Sequence, residues 1–275
     1  MPPLLKTLLA FSTLAEAHMQ LHSPAPFNAS NNLHTNGHPD TQLHYPYNCC
    51  GRRTEYPCRG YLSLLGTPAG APTVTWAPGS LQNWSMAGPA PLGGTHYGGS
   101  CQIGLSIDKG NTFRTVVSYE GNCPHRDGSE DPTGQTFNFT VPRDLPTGEA
   151  VFAWTWVNRE QEFNMNCAAV FVEVGNTTSE AGGVPPISIP SQAYSVAFND
   201  RPEMFIADTR HGCLTPKTDA ELKFPEPGIN VEEGDGMYPC DADDEEKEEG
   251  GDYQEVRPGD KIAAEALGED EKGGG

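Results

Sequence analysis

The chain has 275 residues, a formal net charge of −20 and a hydrophobic fraction of 36%. This length allows one sizeable domain plus a tail, and the acidic balance excludes the basic surface that binds nucleic acids. The charge is uneven, because residues 231–275 hold 17 acidic side chains against 4 basic ones.

The first 17 residues have the order of a secretory signal peptide. Lys6 precedes the apolar stretch Leu8–Phe11, and the small-residue pattern Ala15–Ala17 follows it. The apolar part is too short to span a bilayer. We predict a signal peptide over residues 1–17, removed by cleavage after Ala17, although a cut after Ala15 also satisfies the small-residue rule.

Cleavage after Ala17 makes His18 the first residue of the mature protein. An N-terminal histidine carries a free α-amine and an imidazole on one residue, and these two nitrogens can chelate one metal ion. No internal histidine has this property. His18 is therefore the first candidate metal ligand.

The segment from residue 22 to residue 100 is rich in Pro, Gly and His and predicts long ordered loops. We interpret four of its histidines as loop or surface residues: His22, His34, His38 and His44. The i, i+4 spacing of His34 and His38 suits zinc only on a helix, and Asn36-Gly37 between them indicates a turn.

Cysteines and glycosylation signals indicate an oxidising compartment. The chain has eight cysteines and no Cys-x-x-Cys pair, which favours disulfides over a zinc site. Sequons occur at Asn28, Asn83, Asn138 and Asn176. Both features suit a secreted protein. We expect disulfides to pin the long loops, with their pairing left open.

His96 is the best candidate for a further metal-binding nitrogen. It lies in the glycine-rich stretch Gly94–Cys101, just before a predicted strand. Glycines let the backbone approach closely, and a bridged Cys101 would fix this loop. Two nitrogens of His18 and one of His96 in a plane, with open axial positions, suit copper best among the common divalent metals.

The chain between residues 18 and 230 predicts an all-β domain. Residues 103–107 and 137–141 alternate between apolar and polar or small side chains, the period of a strand with one buried face. Ala150–Val157 is more uniformly apolar, as in a central strand, and residues 168–174 form a further candidate. With no sustained helical periodicity, short strands between Gly/Pro turns favour a β-sandwich.

The acidic segment 231–275 has a different composition. It is rich in glycine and has almost no aromatic or β-branched residues, so it cannot bury a core of its own. We predict a disordered tail with boundaries 231–275.

Six short motifs follow one another in the predicted domain. They are His18–Phe27, His96–Gln102, Phe152–Asn158, Met165–Ala168, Arg201–Ala207 and Gly212–Pro216. Together they resemble the fungal lytic polysaccharide monooxygenases of auxiliary activity family eleven. The resemblance implies an immunoglobulin- or fibronectin III-like β-sandwich, a copper site formed by His18 and His96, and oxidative cleavage of chitin.

The resemblance also implies the partners of the reaction. These are an insoluble polysaccharide, with chitin first, an external electron donor, and dioxygen or hydrogen peroxide. We expect a secreted, extracellular monomer with no nucleic-acid or membrane partner.

One position departs from the family pattern. The family usually has a tyrosine at the axial copper position, two residues before the Asn166-Cys167 pair. This chain has Asn164 there, with Phe163 beside it. Asn164 could bind copper through its amide oxygen or turn away. Glu162 matches a family glutamate that could hydrogen-bond an oxygen ligand of the copper; alternatively, Glu160 and Glu162 are exposed strand-end charges.

Two other functions stay open beside the monooxygenase. The first is a secreted copper-binding protein that keeps both histidines but lacks oxygenase activity, which the asparagine at position 164 favours. The second is a glycoside hydrolase built on paired carboxylates. Most acidic residues lie in the predicted tail, so the domain offers no clear acid/base pair.

Overall fold

The computed structural model describes residues 18–49, 54–88, 94–160, 162–173, 196–209, 213–215 and 220–233. Regular structure in these segments consists of β-strands and short 3-10 turns. No helix in the described part is long and apolar enough to cross a membrane. The predicted signal peptide lies outside the described residues.

Nine described strands form two sheets. They are β1 (Gln20–Ser23), β2 (Thr75–Trp76), β3 (Leu81–Ala87), β4 (Ser100–Ser106), β5 (Arg114–Glu120), β6 (Thr136–Thr140), β7 (Gly148–Val157), β8 (Phe163–Val172) and β9 (Val231–Glu233). The small sheet has the order β1-β3-β6, and the large sheet has the order β2-β8-β7-β4-β5-β9. Most pairings are antiparallel, and the prediction of an all-β sandwich is confirmed.

The inner faces of the two sheets share one aromatic core. Trp84 and Phe137 of the small sheet stack with ring centroids 4.7 Å apart. Trp154 of the large sheet lies 6.5 Å from Trp84 and is fully buried. Large rings fill this space because alternate residues of each strand point to the same face.

The outer face of the large sheet is covered by loops. Val151, Ala153 and Met165 on this face form a second core cluster with loop residues that include Phe27 and Phe224. All seven residues of β4 are consequently buried, so the prediction of one buried face is wrong for this strand. It is confirmed for β6, where the alternating pattern leaves Asn138 exposed.

Disulfides pin these covering loops to the sheets. Cys58, in the loop before β2, bonds to Cys167 of β8 across 109 residues of sequence. Cys101 bonds to Cys123, so a bridge fixes the loop beside His96. The loop-pinning prediction is therefore confirmed for the described part of the chain.

The C-terminal end of the described region adds an edge strand. β9 pairs in parallel with β5 through Val231↔Ser118 and Glu233↔Glu120. The sheet therefore extends past the predicted domain boundary at residue 230. The remainder of the predicted acidic tail lies outside the described residues.

A hydrogen-bonded bridge between the sheets gives the first testable prediction. The Trp84 indole donates to the Tyr119 hydroxyl at 3.0 Å, and this hydroxyl donates to the Asn138 carbonyl at 2.8 Å. Tyr119→Phe leaves the buried Trp84 indole N–H without its acceptor and the Asn138 carbonyl without this donor. We expect urea denaturation to show a loss of about 1–3 kcal/mol in the free energy of unfolding.

The matched control is Tyr97→Phe, because the Tyr97 side chain lies at the surface with 78% exposure. Its free energy of unfolding should change by no more than about 0.5 kcal/mol. Equal effects of the two substitutions would contradict a stabilising role for the bridge.

Candidate metal centre

The fold brings together the two histidines that the sequence singles out. His18 lies just before β1, His96 lies just before β4, and their ring centroids are 5.3 Å apart. Both side chains are more than nine-tenths buried. The two predicted metal ligands, distant in sequence, therefore share one site at the end of the sandwich.

The backbone that carries His96 has an unusual conformation. His96, Tyr97, Gly98 and Gly99 all have positive φ angles, at 46°, 58°, 106° and 119°. A side chain at Gly99 would overlap the Trp156 indole nitrogen and the Val157 carbonyl. Glycine is therefore required there, because only glycine adopts this conformation and lets two backbones approach so closely.

Trp156 of β7 packs against this loop and holds it in place. Its indole N–H donates to the Gly98 carbonyl at 3.1 Å. Its ring lies edge-on to His96, with centroids 5.6 Å apart. The Cys123 amide also donates to the Gly99 carbonyl, which links the loop to the Cys101–Cys123 disulfide. The imidazole of His96 is thus fixed before any ligand binds.

Three buried ring nitrogens at the centre have no hydrogen-bond partner in the described structure. They are His18 Nδ1, His18 Nε2 and His96 Nε2. A buried polar atom without a partner is costly. The two rings are tilted by 55° to each other, and each histidine belongs to a group of possible metal ligands that includes Glu162. Buried imidazole nitrogens without a hydrogen-bond partner can bind a metal ion, and a nitrogen-rich ligand set suits copper.

Two glutamates of the β7–β8 turn approach the histidines. Glu160 Oε1 lies 3.3 Å from His96 Nδ1. A carboxylate there favours the tautomer with its proton on Nδ1, which leaves Nε2 available to a metal. Glu162 Oε2 lies 3.8 Å from both His18 Nε2 and His96 Nε2, a distance of charge interaction rather than of hydrogen bonding.

Asn158 holds the Glu162 carboxylate in place. Its side-chain N–H donates to Glu162 Oε2 at 2.6 Å, and its Oδ1 accepts from the backbone N–H groups of Glu160 and Glu162. Burial raises the pKa of Glu162, but the adjacent His18 ring, the Asn158 hydrogen bond and the His96 ring outweigh it and lower the pKa overall. Glu162 is therefore ionised at neutral pH.

Asn164 and Phe163, the two residues considered for the position of the family's axial tyrosine, lie on opposite faces of β8. Asn164 is fully buried and is the register partner of Trp156. It therefore shares the inner face with the residue that contacts His96. Phe163 points to the opposite face, where its ring packs on Tyr47 with centroids 5.6 Å apart. Neither amide atom of Asn164 has a hydrogen-bond partner within the described part of the chain.

Three residues of one loop also surround His18, and no pattern in the sequence indicates them. Tyr45 lies with its ring centroid 5.3 Å from that of His18, and His44 lies 6.4 Å away. The Sγ of Cys49 is within 4.8 Å of ligand atoms of His18 and Glu162, but it is disulfide-bonded and is not a free thiolate. The loop histidine His44 is thus close to the centre.

The ionisation of Glu162 does not suit glycoside hydrolysis. The general acid of a hydrolase needs a raised pKa, while the pKa of Glu162 is lowered. The arrangement is that of a candidate metal centre on a β-sandwich.

Comparisons with known proteins specify this class. AA11 family lytic polysaccharide monooxygenase A of Aspergillus fumigatus is 35% identical over 213 residues, 75% of this chain and 81% of the relative. AA11 family lytic polysaccharide monooxygenase B of the same species is 30% identical over 233 residues, 80% of this chain and 50% of the relative. The chain thus spans about half the length of the second relative.

Other comparisons add little. No protein-family model matches the chain. The solved structure of T. fusca AA10A aligns with a TM-score of 0.31 and 16% identity, over 57% of this chain and 100% of that one, a similarity too low to carry an argument. The sequence relatives alone decide that the chain belongs to the AA11 family of lytic polysaccharide monooxygenases, and the resemblance is confirmed.

The second prediction concerns the Asn158–Glu162 contact. Asn158→Asp keeps the oxygen that accepts from the turn backbone but places an anion against Glu162. We expect the pKa of Glu162 to rise, because its hydrogen-bond donor is replaced by a like charge. Carbon-detected NMR titration of the metal-free protein measures this shift, with Asn36→Asp at an exposed loop position as the control.

The same contact has a consequence for stability. A lowered carboxyl pKa contributes stability above its unfolded-state pKa, and this contribution is lost as pH falls through the folded-state pKa. Asn158→Asp should therefore destabilise the protein at neutral pH, with a smaller difference in acid. An unchanged pKa of Glu162 in a folded variant would refute this account.

Proposed function

We propose that this chain is a secreted, copper-dependent lytic polysaccharide monooxygenase that cleaves chitin oxidatively. The proposal is carried by the adjacent imidazoles of His18 and His96, because three of their four ring nitrogens are buried without a hydrogen-bond partner among the described residues. Membership of a family named for oxidative polysaccharide cleavage supports the reaction class.

The residues present define how copper would be held. After processing, His18 offers its α-amine together with Nδ1, the ring nitrogen close enough to close a small chelate ring. His96 offers Nε2, because Glu160 favours the proton on Nδ1. Asn164 offers its amide oxygen at the position of the family tyrosine. Copper, when bound, supplies the one-electron chemistry that activates dioxygen or hydrogen peroxide.

The remaining site residues accept protons and restrict the access of water. Glu162 is ionised, so its carboxylate can accept a proton or a hydrogen bond from a water or peroxide molecule beside His18 and His96. Trp156 closes the inner side of the His96 ring against solvent. The chain therefore orients the oxidant and limits the water that reaches it.

An exposed residue beside the centre supports a polysaccharide substrate. Tyr97 is the neighbour of His96 and is largely exposed, so its ring is available to pack on a sugar. An insoluble polymer such as chitin would reach the site there. An external electron donor and dioxygen or hydrogen peroxide complete the reaction, and a monomer suffices for it.

Processing, disulfide formation and glycosylation signals support the proposal that the protein is secreted. Processing at Ala17 would create the α-amine of His18, and the two described disulfides require oxidation to form. The sequons at Asn83 and Asn138 lie at exposed positions, as glycosylation needs. An extracellular location would also place the enzyme with an insoluble polymer.

A second candidate function rests on Asn164. A protein that binds copper through His18 and His96 but lacks oxygenase activity would tolerate an amide where the family has a phenol. In this case copper would bind tightly, and no polysaccharide would be oxidised. The two candidates differ in product formation only.

The third prediction tests whether processing creates the metal site. One glycine added before His18 converts its α-amine into an amide, so copper affinity measured by calorimetry should fall severely relative to the protein that starts at His18. His96→Ala should weaken binding similarly, because one ring nitrogen is lost. His38→Ala, at an exposed position, is the control. Equal affinity in the extended protein would reject the proposed ligand set.

The fourth prediction tests the reaction. Copper-loaded wild-type protein with a reductant should release oxidised chito-oligosaccharides from β-chitin, detected by mass spectrometry. Asn164→Tyr restores the family residue and should change the rate only modestly. Tight copper binding with no product from any insoluble polysaccharide, when both dioxygen and peroxide are supplied, would favour the second candidate.

A further inference from the structure

A buried carboxylate lies directly behind the loop that carries His96. The side chain of Glu221 is fully buried, and its Oε1 accepts from the Gly99 backbone N–H at 3.1 Å. Its Oε2 forms an ion pair and hydrogen bond with the Arg126 guanidinium. Glu221 comes from the C-terminal segment of the domain, far in sequence from the proposed ligands.

The position of Glu221 matches the unusual backbone of the His96 loop. All four residues from His96 to Gly99 have positive φ angles, a conformation that side-chain-bearing residues rarely adopt. A side chain added at Gly98 would overlap the Glu221 carboxylate. The loop backbone therefore rests on this carboxylate, and its conformation depends on an acceptor at this place.

Glu221 also contacts the β7–β8 turn, the second segment beside the proposed metal centre. Arg159 lies 3.8 Å from Glu221 Oε1. Arg159 belongs to the turn that presents Glu160 to His96 Nδ1. One buried anion thus contacts both the loop that bears the imidazole and the turn that sets its tautomer.

Charge explains why a carboxylate is needed there. The fully buried Glu221 carboxylate requires an opposite charge, and the partly exposed Arg126 and Arg159 bring two cations to it at the back of the loop. A carboxylate can accept from the Gly99 N–H and from Arg126 through its two oxygens at once. A neutral amide has one acceptor oxygen and one NH₂ group, so its NH₂ group would face one of these two donors.

We propose that Glu221 is a positioning residue, which fixes the His96 imidazole for metal binding by anchoring Gly99 and the Arg159 turn. Its effect on copper rests on the proposed function, whereas its effect on the loop does not. Because its side chain is fully buried behind the loop, Glu221 acts through His96.

The test is Glu221→Gln, which preserves size and removes one acceptor. In the metal-free protein, NMR hydrogen exchange of the Gly99 amide should become faster by about tenfold or more, because its hydrogen bond weakens. In the protein that starts at His18, copper affinity should fall by about 10- to 100-fold, and the copper(II) EPR parameters should change.

Glu120→Gln is the matched control. Glu120 is also buried, and its carboxylate accepts from the Phe224 backbone N–H at 2.8 Å. It therefore anchors the same C-terminal segment without contacting Gly99. This variant should keep wild-type Gly99 exchange, copper affinity and EPR parameters, whatever its thermal stability.

The outcomes separate the two proposals. Wild-type Gly99 exchange, affinity and spectrum in folded Glu221→Gln would overturn the positioning role. If the wild type binds no copper, the proposed function fails, and Gly99 exchange still decides the role of Glu221. If Glu221→Gln does not fold, Gly98→Ala disturbs the same contact from the loop side and should give the same changes.

Discussion

The constraint on which the rest of the structure depends is the burial of two imidazoles against each other. His18 and His96 have ring centroids 5.3 Å apart, and three of their four ring nitrogens lack a hydrogen-bond partner in the described structure. Such an arrangement is unfavourable unless the surroundings enforce it or a ligand compensates for it. The loop at Gly99, with its positive φ angles, and the turn at Glu162 hold the two imidazoles in this arrangement.

The sandwich supplies the rigidity that this arrangement needs. Trp156 lies on a central strand buried on both faces, and it supports the His96 loop from within. The covering loops are held by the Cys58–Cys167 disulfide and bring Tyr45 against His18. Functional groups placed on rigid elements keep their geometry before a ligand binds, which lowers the cost of binding.

Local sequence patterns determined the class of fold and the membership of the family. Alternation around Phe137 and Phe139, and the apolar run of β7, are properties of neighbouring residues, so they are readable without the fold. The Gly98-Gly99 pair likewise indicated a special backbone beside His96. These patterns could not show that β4 is buried on both faces, since the covering loops come from distant segments.

Tertiary structure alone decided which groups surround the two histidines. Asn164 and Phe163 are neighbours in sequence but point to opposite faces of β8, so strand direction assigns only Asn164 to the face of Trp156. Tyr45 and Glu221 approach the centre from loops whose sequences carry no signal of their destination. Contacts between residues so far apart depend on chain topology and packing, whereas composition and periodicity report only local preference.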